Sequence, residues 1–349
     1  MKIKSLLIGS AALMTASTGA YAADAVVFAE PEPVEYVRVC DVYGAGFFYI
    51  PGTETCLKIG GYFRQQINFA SGFTGYDMLS RFAPTFDVRS ETEWGTLRGF
   101  AEIEFNYQWG NRATVSGTPL AVGITTGYAT DLNLNHAYIE VIGASGTFRI
   151  GKGDSPYTRF LGYGASGFNS TGSYGFQTNG QGNTNEVSYT FNGGNGFSAI
   201  IALVDNVSTN NWQTNIEGGI NFRQGWGSIG AIVGYDPFAA SWGAKAVARV
   251  ASGAFSGSLH VFYTSGAGSY RVNALQNNWS VLAHARVRAN PTVDFGVWAQ
   301  WFDSGNWNFA ANVGWTPVQN LLIRPEITYT TAAAGAGTWA GSIRFQRSF

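Results

Sequence analysis

Long apolar runs are missing from this 349-residue chain. No segment reaches the roughly 20 consecutive apolar residues that a membrane-spanning helix needs. Charge is also scarce. Asp, Glu, Lys and Arg make up 12% of the residues, against roughly 25% in typical soluble domains. The net charge of -1 leaves no basic footprint for nucleic acid. Histidine is limited to His136, His260 and His284. The second and third of these could face one way on adjacent strands, but without carboxylate support they do not make a metal site. H-E-x-x-H, P-loop and G-x-S-x-G motifs are absent. Gly162-Tyr163-Gly164-Ala165-Ser166-Gly167 fits G-x-G-x-x-G, yet no helix follows it in a βαβ setting, so it reads as a flexible loop. The sequence therefore offers no catalytic residues, no cofactor and no metal.

Glycine (46 residues), Asn, Ser, Thr and aromatics (15%) take the place of the missing charge. Mean hydropathy is close to zero. That is too polar for a helical membrane protein, and it is what results when lipid-facing and water-facing residues alternate and cancel.

The N-terminus carries an export signal. Lys2 and Lys4 form a basic region, and Leu6-Leu7-Ile8 with Ala11, Ala12, Leu13 and Met14 form a short apolar stretch. Ala20-Tyr21-Ala22 is an A-x-A cleavage site, so residues 1–22 are predicted to be removed and the mature chain to begin at Ala23. Export places the only two cysteines, Cys40 and Cys56, in an oxidising compartment, and they are predicted to form a disulfide. Closing that short loop stabilises by about 3 kcal/mol. Residues 23–55 read as an N-terminal periplasmic segment. Glu30-Pro31-Glu32-Pro33 is extended, and Tyr36 to Ile50 forms a small cap tied down by the disulfide.

From Cys56 to Phe349 the period is two. In the first strand Leu57, Ile59, Gly61, Phe63, Ile67 and Phe69 take one face, and Lys58, Tyr62, Arg64, Gln66 and Asn68 the other. The second sets Phe86 and Val88 against Asp87 and Arg89, and the third sets Leu97, Ile103 and Phe105 against Arg98, Glu102 and Glu104. Charges at every second position make no sense in a packed core, but they suit the wall of a water-filled channel. Connections alternate between short (such as Trp94-Gly95, Gly143 to Gly146 and Gln224 to Gly227) and long (such as Ala70 to Ser80, Trp109 to Thr130 and Gly153 to Thr184). Seven short and eight long connections imply about sixteen strands, an even number with both ends in the periplasm. The predicted fold class is all-β: a transmembrane antiparallel β-barrel with short periplasmic turns and long outer loops. The chain ends on an alternating strand that closes with Phe345 and Phe349, and tryptophans cluster beside the turns as interfacial girdles do. About sixteen strands leave an aqueous channel, whereas eight would be filled by side chains.

The run from Pro33 to Tyr62, with Val39-Cys40-Asp41-Val42-Tyr43-Gly44 and Thr55-Cys56-Leu57-Lys58-Ile59-Gly60-Gly61-Tyr62, resembles the N-terminal signature of alphaproteobacterial porins of the rhizobial and Brucella type. Gly153-Asp154-Ser155-Pro156-Tyr157 and the aromatic C-terminus also resemble that family. The resemblance covers the whole chain. It implies a homotrimer in outer-membrane lipid and lipopolysaccharide that conducts small hydrophilic solutes. It implies a third outer loop folded into each barrel, with Asp154, Tyr157 and Arg159 in the constriction loop. It also implies that the aromatic end, Phe345 and Phe349, is read by the barrel-assembly machinery. Arg347 departs from the pattern, since many such strands place an apolar residue there. The loop also has few acids, mainly Asp154.

Counting inward positions from the periplasmic end puts Arg64, Arg89, Arg98 and Arg344 on adjoining wall positions, with Arg324 extending the cluster. They are expected to form a basic wall facing the inserted loop. Alternatively, they pair with Glu91, Glu93, Glu102, Glu104 or Glu326 as ordinary wall salt bridges. The function read from these features is passive diffusion through an open channel. Other readings are a sugar-selective channel with Tyr62, Tyr138 and Trp298 as a stacking track, an outer-membrane barrel enzyme, and a non-conducting structural barrel.

Overall fold

The computed structural model describes residues 38–72, 75–111, 126–164, 166–169, 183–206, 212–270, 278–332 and 336–349. The export signal and the acidic Pro-rich stretch lie outside them. A 3₁₀ turn (Asp41–Tyr43) and a two-residue strand, β1 (Phe48–Tyr49), precede the barrel. The barrel strands are β2 (Cys56–Ala70), β3 (Asp77–Thr92), β4 (Gly95–Asn111), β5 (Thr126–Gly143), β6 (Gly146–Asp154), β7 (Asn183–Gly194), β8 (Phe197–Val204) and β9 (Asn215–Gln224). They continue with β10 (Gly227–Asp236), β11 (Ser241–Ser252), β12 (Phe255–Thr264), β13 (Trp279–Asn290), β14 (Val293–Phe302), β15 (Trp307–Val318), β16 (Leu321–Thr330) and β17 (Thr338–Ser348). Each pairs antiparallel with its sequence neighbours, and β17 closes onto β2 with Ile343 opposite Ile67. The sheet thus has sixteen strands around a ring and no open edge, which is what lipid requires of a β-structure.

Alternation explains the strands. In β7, Thr184, Glu186 and Ser188 are buried inside while Val187, Tyr189 and Phe191 stand exposed outside. In β11, Lys245 and Val247 point in and Trp242 and Val250 point out. The strand count and the tight turns agree with the sequence reading. Three boundaries differ. β3 starts at Asp77, and β4 and β5 run to Asn111 and from Thr126, into stretches read as long loops. In β3 the alternation continues to the start of the strand, with Asp77, Leu79 and Arg81 facing in.

One glycine at the closing seam seats the last residue of the chain. Gly61 has φ +137°, and its backbone exchanges hydrogen bonds with Phe349: Gly61 N–H to Phe349 O at 3.3 Å and Phe349 N–H to Gly61 O at 3.1 Å. A Cβ at Gly61 would collide with the Ala83 carbonyl on β3. On the outer face the Phe349 ring lies 5.7 Å from Phe63 and 6.4 Å from Phe82.

The cap is pinned by the Cys40–Cys56 disulfide. Phe47 is buried against both cysteines, with Tyr43 and Tyr49 beside it. Lys58 Nζ donates to Ala45 O at 3.1 Å, and the Arg89 guanidinium sits over the Phe47 ring at 5.1 Å. Tyr43 donates to Glu91 at 2.8 Å, and burial together with that carboxylate pushes its hydroxyl up to about 12. Lys58, Arg89 and Glu91 lie on the inner faces of β2 and β3, so the cap rests inside the mouth at the short-turn end.

Candidate pore constriction

The connection after β6 turns inward. Ser155 precedes a single helical turn, α1 (Pro156–Arg159), whose first position is a proline that needs no hydrogen-bond partner for its nitrogen. Backbone groups carried into the barrel must find partners, and side chains of the far wall supply them. Glu217 on β9 accepts from Tyr157 N–H at 2.6 Å. Lys245 on β11 donates to Tyr157 O, and to Thr158 O at 3.4 Å. Arg249, also on β11, donates to Leu161 O at 2.9 Å and Tyr163 O at 2.6 Å. Arg286 on β13 and Asn312 on β15 hold Gly167 O at 2.7 and 3.0 Å. Glu326 on β16 accepts from Asn169 N–H at 2.6 Å, and Arg344 on β17 donates to Asn169 O at 2.7 Å. The loop therefore lies along the wall from β9 round to β17.

Apolar contacts fill the space behind it. Tyr157 and Leu161 pack on Ile200, Ile232, Val247 and Tyr270. Phe168 packs on Phe262, Leu282, Trp298, Phe302 and Ala310. The two outer glycines of the G-x-G-x-x-G match have a structural use. Gly162 (φ +77°) and Gly167 (φ +85°) give the chain left-handed turns, and a Cβ at either would run into the guanidinium of Arg249 or Arg286. The loop read from sequence as flexible is fastened at both of these points.

The wall left uncovered by the described loop residues runs over β2–β7 and carries a chain of alternating charge. Arg89 pairs with Asp87 at 2.8 Å, Asp87 with Arg98 at 2.9 Å, and Arg98 with Glu140 at 2.8 Å. Glu140 then meets Arg149 at 2.7 Å, Arg149 meets Glu186 at 3.6 Å, and Glu186 meets Arg159 of α1 at 2.7 Å. The chain climbs from the capped mouth to the start of the inserted loop. Arginines also cover the aromatic faces: Arg149 lies 3.9 Å from the Tyr138 centroid, Arg98 4.9 Å from Phe100, and Arg64 4.5 Å from Tyr62. Arg81 pairs with Glu104 and donates to Tyr62 Oη at 3.4 Å.

The wall and loop residues singled out from sequence fall in four settings. Arg89, Arg98 and Arg159 belong to the charge chain, and the partners of the first two are Asp87 and Glu140 rather than the glutamates considered from sequence. Arg64, Arg324 and Arg344 lie together on β2, β16 and β17: Arg324 is directly opposite Arg344, and Arg344 is opposite Gln66, two residues from Arg64. Tyr157 is 1% exposed and belongs to the packed underside of the loop, so it does not face the lumen. Asp154 sits at the loop's start, where its carboxylate accepts from the Tyr163 hydroxyl. Burial and Asp154 raise the pKa of that hydroxyl, so it stays a donor.

The stacking track needs correction. Trp298 is 3% exposed and edge-on to Phe168 behind the loop, away from Tyr62 and Tyr138. His260 and His284 are also on the covered side, the first ring stacked on Phe262 and the second edge-on to Phe168. Sequence reading missed Arg81, Glu140, Arg149 and Glu186. The inward parity of Arg149 and Glu186 was available as a signal. Arg81 belongs to the part of β3 that starts earlier, at Asp77, than the loop expected through Ser80 allows.

A closed sixteen-stranded barrel with an apolar outer belt, a charged inner wall and a loop laid across its interior defines an outer-membrane channel. The family profile described as "Porin subfamily" matches residues 24–342. The chain is 39% identical to Porin Omp2a of Brucella suis biovar 1 and 39% identical to Porin Omp2b of Brucella neotomae, covering all of each chain in both cases. Its fold is similar to the outer membrane channel DcaP of Acinetobacter baumannii (TM-score 0.64, 16% identity, 86% of this chain and 99% of that one). It is also similar to a mutant of Rh. blastica porin (TM-score 0.60, 13% identity, 84% of this chain and 100% of that one). The chain belongs to the porin subfamily. It is a channel of the Gram-negative outer membrane, not an enzyme.

Proposed function

We propose that this porin passes small hydrophilic solutes and ions by passive diffusion, and that the arginine-lined wall of β2–β7, β16 and β17 sets which of them pass easily. The observation that supports this most is the division of the interior. The loop and its packed underside occupy the wall from β9 to β17, while the wall over β2–β7 presents the chain of paired charge, and Arg64, Arg324 and Arg344 lie at the border between the two, where Arg344 holds Asn169 O. Arg64, Arg89, Arg98, Arg324 and Arg344 form the basic wall, with Asp154 and Arg159 beside it where β6 passes into the loop. Charges placed so orient polar solutes and bias ions. Liposome swelling with sugars of graded size tests the channel, since rates must fall with solute size. Reversal potentials in asymmetric KCl test the wall: Arg64→Glu with Arg89→Glu shifts preference toward cations, and an unchanged potential rejects the basic-wall role.

A sugar track is less favoured, because the faces of Tyr62 and Tyr138 are already covered by Arg64 and Arg149. The start of the family match at residue 24 supports cleavage after Ala22, and we assign 23–55 to the periplasmic side because its disulfide-tied cap sits at the short-turn end. We place the homotrimer contact on the outer face of β17 and β2–β5. There the lipid-facing belt is interrupted by the Gln65–Ser80 hydrogen bond, at 2.6 Å, beside a shallow depression of about 780 Å³. A Gln65→Arg variant run as a monomer on native gels supports this contact. We also place Phe345 and Phe349 as the signal read by the assembly machinery, with lipopolysaccharide around the outer belt. Deleting Phe349 lowers the yield of folded barrel in the outer membrane.

A further inference from the structure

Three arginines on neighbouring strands share one patch of the inner wall without a carboxylate of their own. Arg324 and Arg344 are directly opposite across β16 and β17, and such pairs have Cβ atoms about 5 Å apart. Arg64 is the diagonal neighbour of Arg344 across β17 and β2, about 7–8 Å away by the same geometry. None of the ion pairs formed among the described residues uses these three. Of the acids around the patch, Glu326 spends one oxygen on Asn169 N–H and on Asn312, Asp294 pairs with Arg286, and Glu104 pairs with Arg81.

The donors of the patch are only partly committed. Arg64 Nε donates to Gln346 at 2.9 Å, leaving its two terminal nitrogens. Arg344 uses Nε on Gln66 and Nη2 on Asn169 O, leaving Nη1. Arg324 Nε is buried and has no hydrogen-bond partner among the described residues. Like charges set directly opposite one another are destabilising, and an unpartnered buried donor is costly. Both penalties vanish if an oxyanion with several acceptor oxygens sits among the three guanidiniums, a geometry arginine matches well.

We propose that Arg64, Arg324 and Arg344 form a discrete oxyanion-binding station in the lumen, which takes a phosphate-like dianion and makes passage of such solutes saturable. This rests on the reading of the protein as an open channel. Arg344 also anchors the loop, so the test uses the other two. Purified protein in planar bilayers at 0.1 M KCl (about a 10 Å screening length) is titrated with inorganic phosphate from one side. The expected result is a saturating reduction of the chloride current. Arg324→Gln and Arg64→Gln each raise the half-blocking concentration by about ten- to a hundred-fold, the usual worth of a hydrogen bond to a charged group. Arg288→Gln, near a short turn on β13, leaves it unaltered. Heat-modifiable mobility on gels shows that each variant still folds. A normal KCl current with no saturable phosphate effect, or block that either variant leaves unchanged, overturns the station while the channel stands. Absence of any KCl current overturns the channel reading itself.

Discussion

Removing the guanidinium at position 249 should loosen the middle of the inserted loop without releasing its ends. Arg249 holds Leu161 O at 2.9 Å and Tyr163 O at 2.6 Å, and it fills the space that Gly162 leaves by lacking a side chain. Each hydrogen bond to a charged group contributes about 1.5–3 kcal/mol, so the two together are worth about 3–6 kcal/mol gross. Two terms reduce the loss in Arg249→Ala: water from the lumen can reach the freed carbonyls, and the charge no longer needs desolvating. A net cost of about 1–3 kcal/mol remains, which raises the population of the detached loop by about 5- to 150-fold. The upstream anchors, Glu217 and Lys245, and the downstream ones, Arg286 and Asn312, stay in place. Only the segment around Tyr163 should therefore move. Open-channel current noise in planar bilayers reads that motion, with brief subconductance events becoming more frequent. Reaction of a Tyr163→Cys variant with a charged thiol reagent gives a second readout, and it should speed up in the Arg249→Ala background. Identical noise and identical labelling rates with and without Arg249 would refute the idea that wall-to-backbone hydrogen bonds hold the loop.

Other expectations follow from the same contacts. Cys40→Ser with Cys56→Ser removes a link across a sequence separation of 16; it should cost about 3 kcal/mol and lower the thermal transition measured in detergent, with the barrel's β-signal retained below it. Gly61→Val puts a Cβ against Ala83 O at a left-handed φ and blocks the seat of Phe349; the heat-modifiable folded band on gels should be lost or greatly reduced. Glu140→Gln cuts the charge chain where Arg98 and Arg149 meet. Such a break costs about 3–5 kcal/mol in a dry interior and less in a wet lumen. The thermal transition should fall, and the reversal potential should move toward anions.

Much of the fold was legible because a strand in a barrel wall carries its own record of what each face touches. Tyr62, Arg64 and Gln66 alternate with Phe63 and Ile67, so β2 states its two solvents without reference to any other strand. The tight turns, each marked by Gly, Pro or Asn, fixed the count. The site was less legible because its partners are distant in sequence. Nothing local to Tyr157 points to Glu217, and nothing local to Asn169 points to Arg344. Arg89 faced a choice between Asp87 and Glu91, both inward and both two residues away. The choice went to Asp87, which lies where Arg89 and Arg98 converge from adjacent strands, while Glu91 is taken up by Tyr43 of the cap and by Thr96. That outcome depends on register and on the cap, neither of which parity alone reveals. Trp298 shows the same limit: inward parity was correct, but the loop that buries it comes from elsewhere in the chain.

The central claim is that successive residues of each strand see water and hydrocarbon in turn around an open lumen. Single cysteines placed one by one from position 62 to position 67 of β2 test it most directly, since both native cysteines are tied up in the disulfide. With a charged, membrane-impermeant thiol reagent, positions 62, 64 and 66 should react and positions 63, 65 and 67 should not. Uniform protection, uniform reaction or the opposite alternation would contradict it.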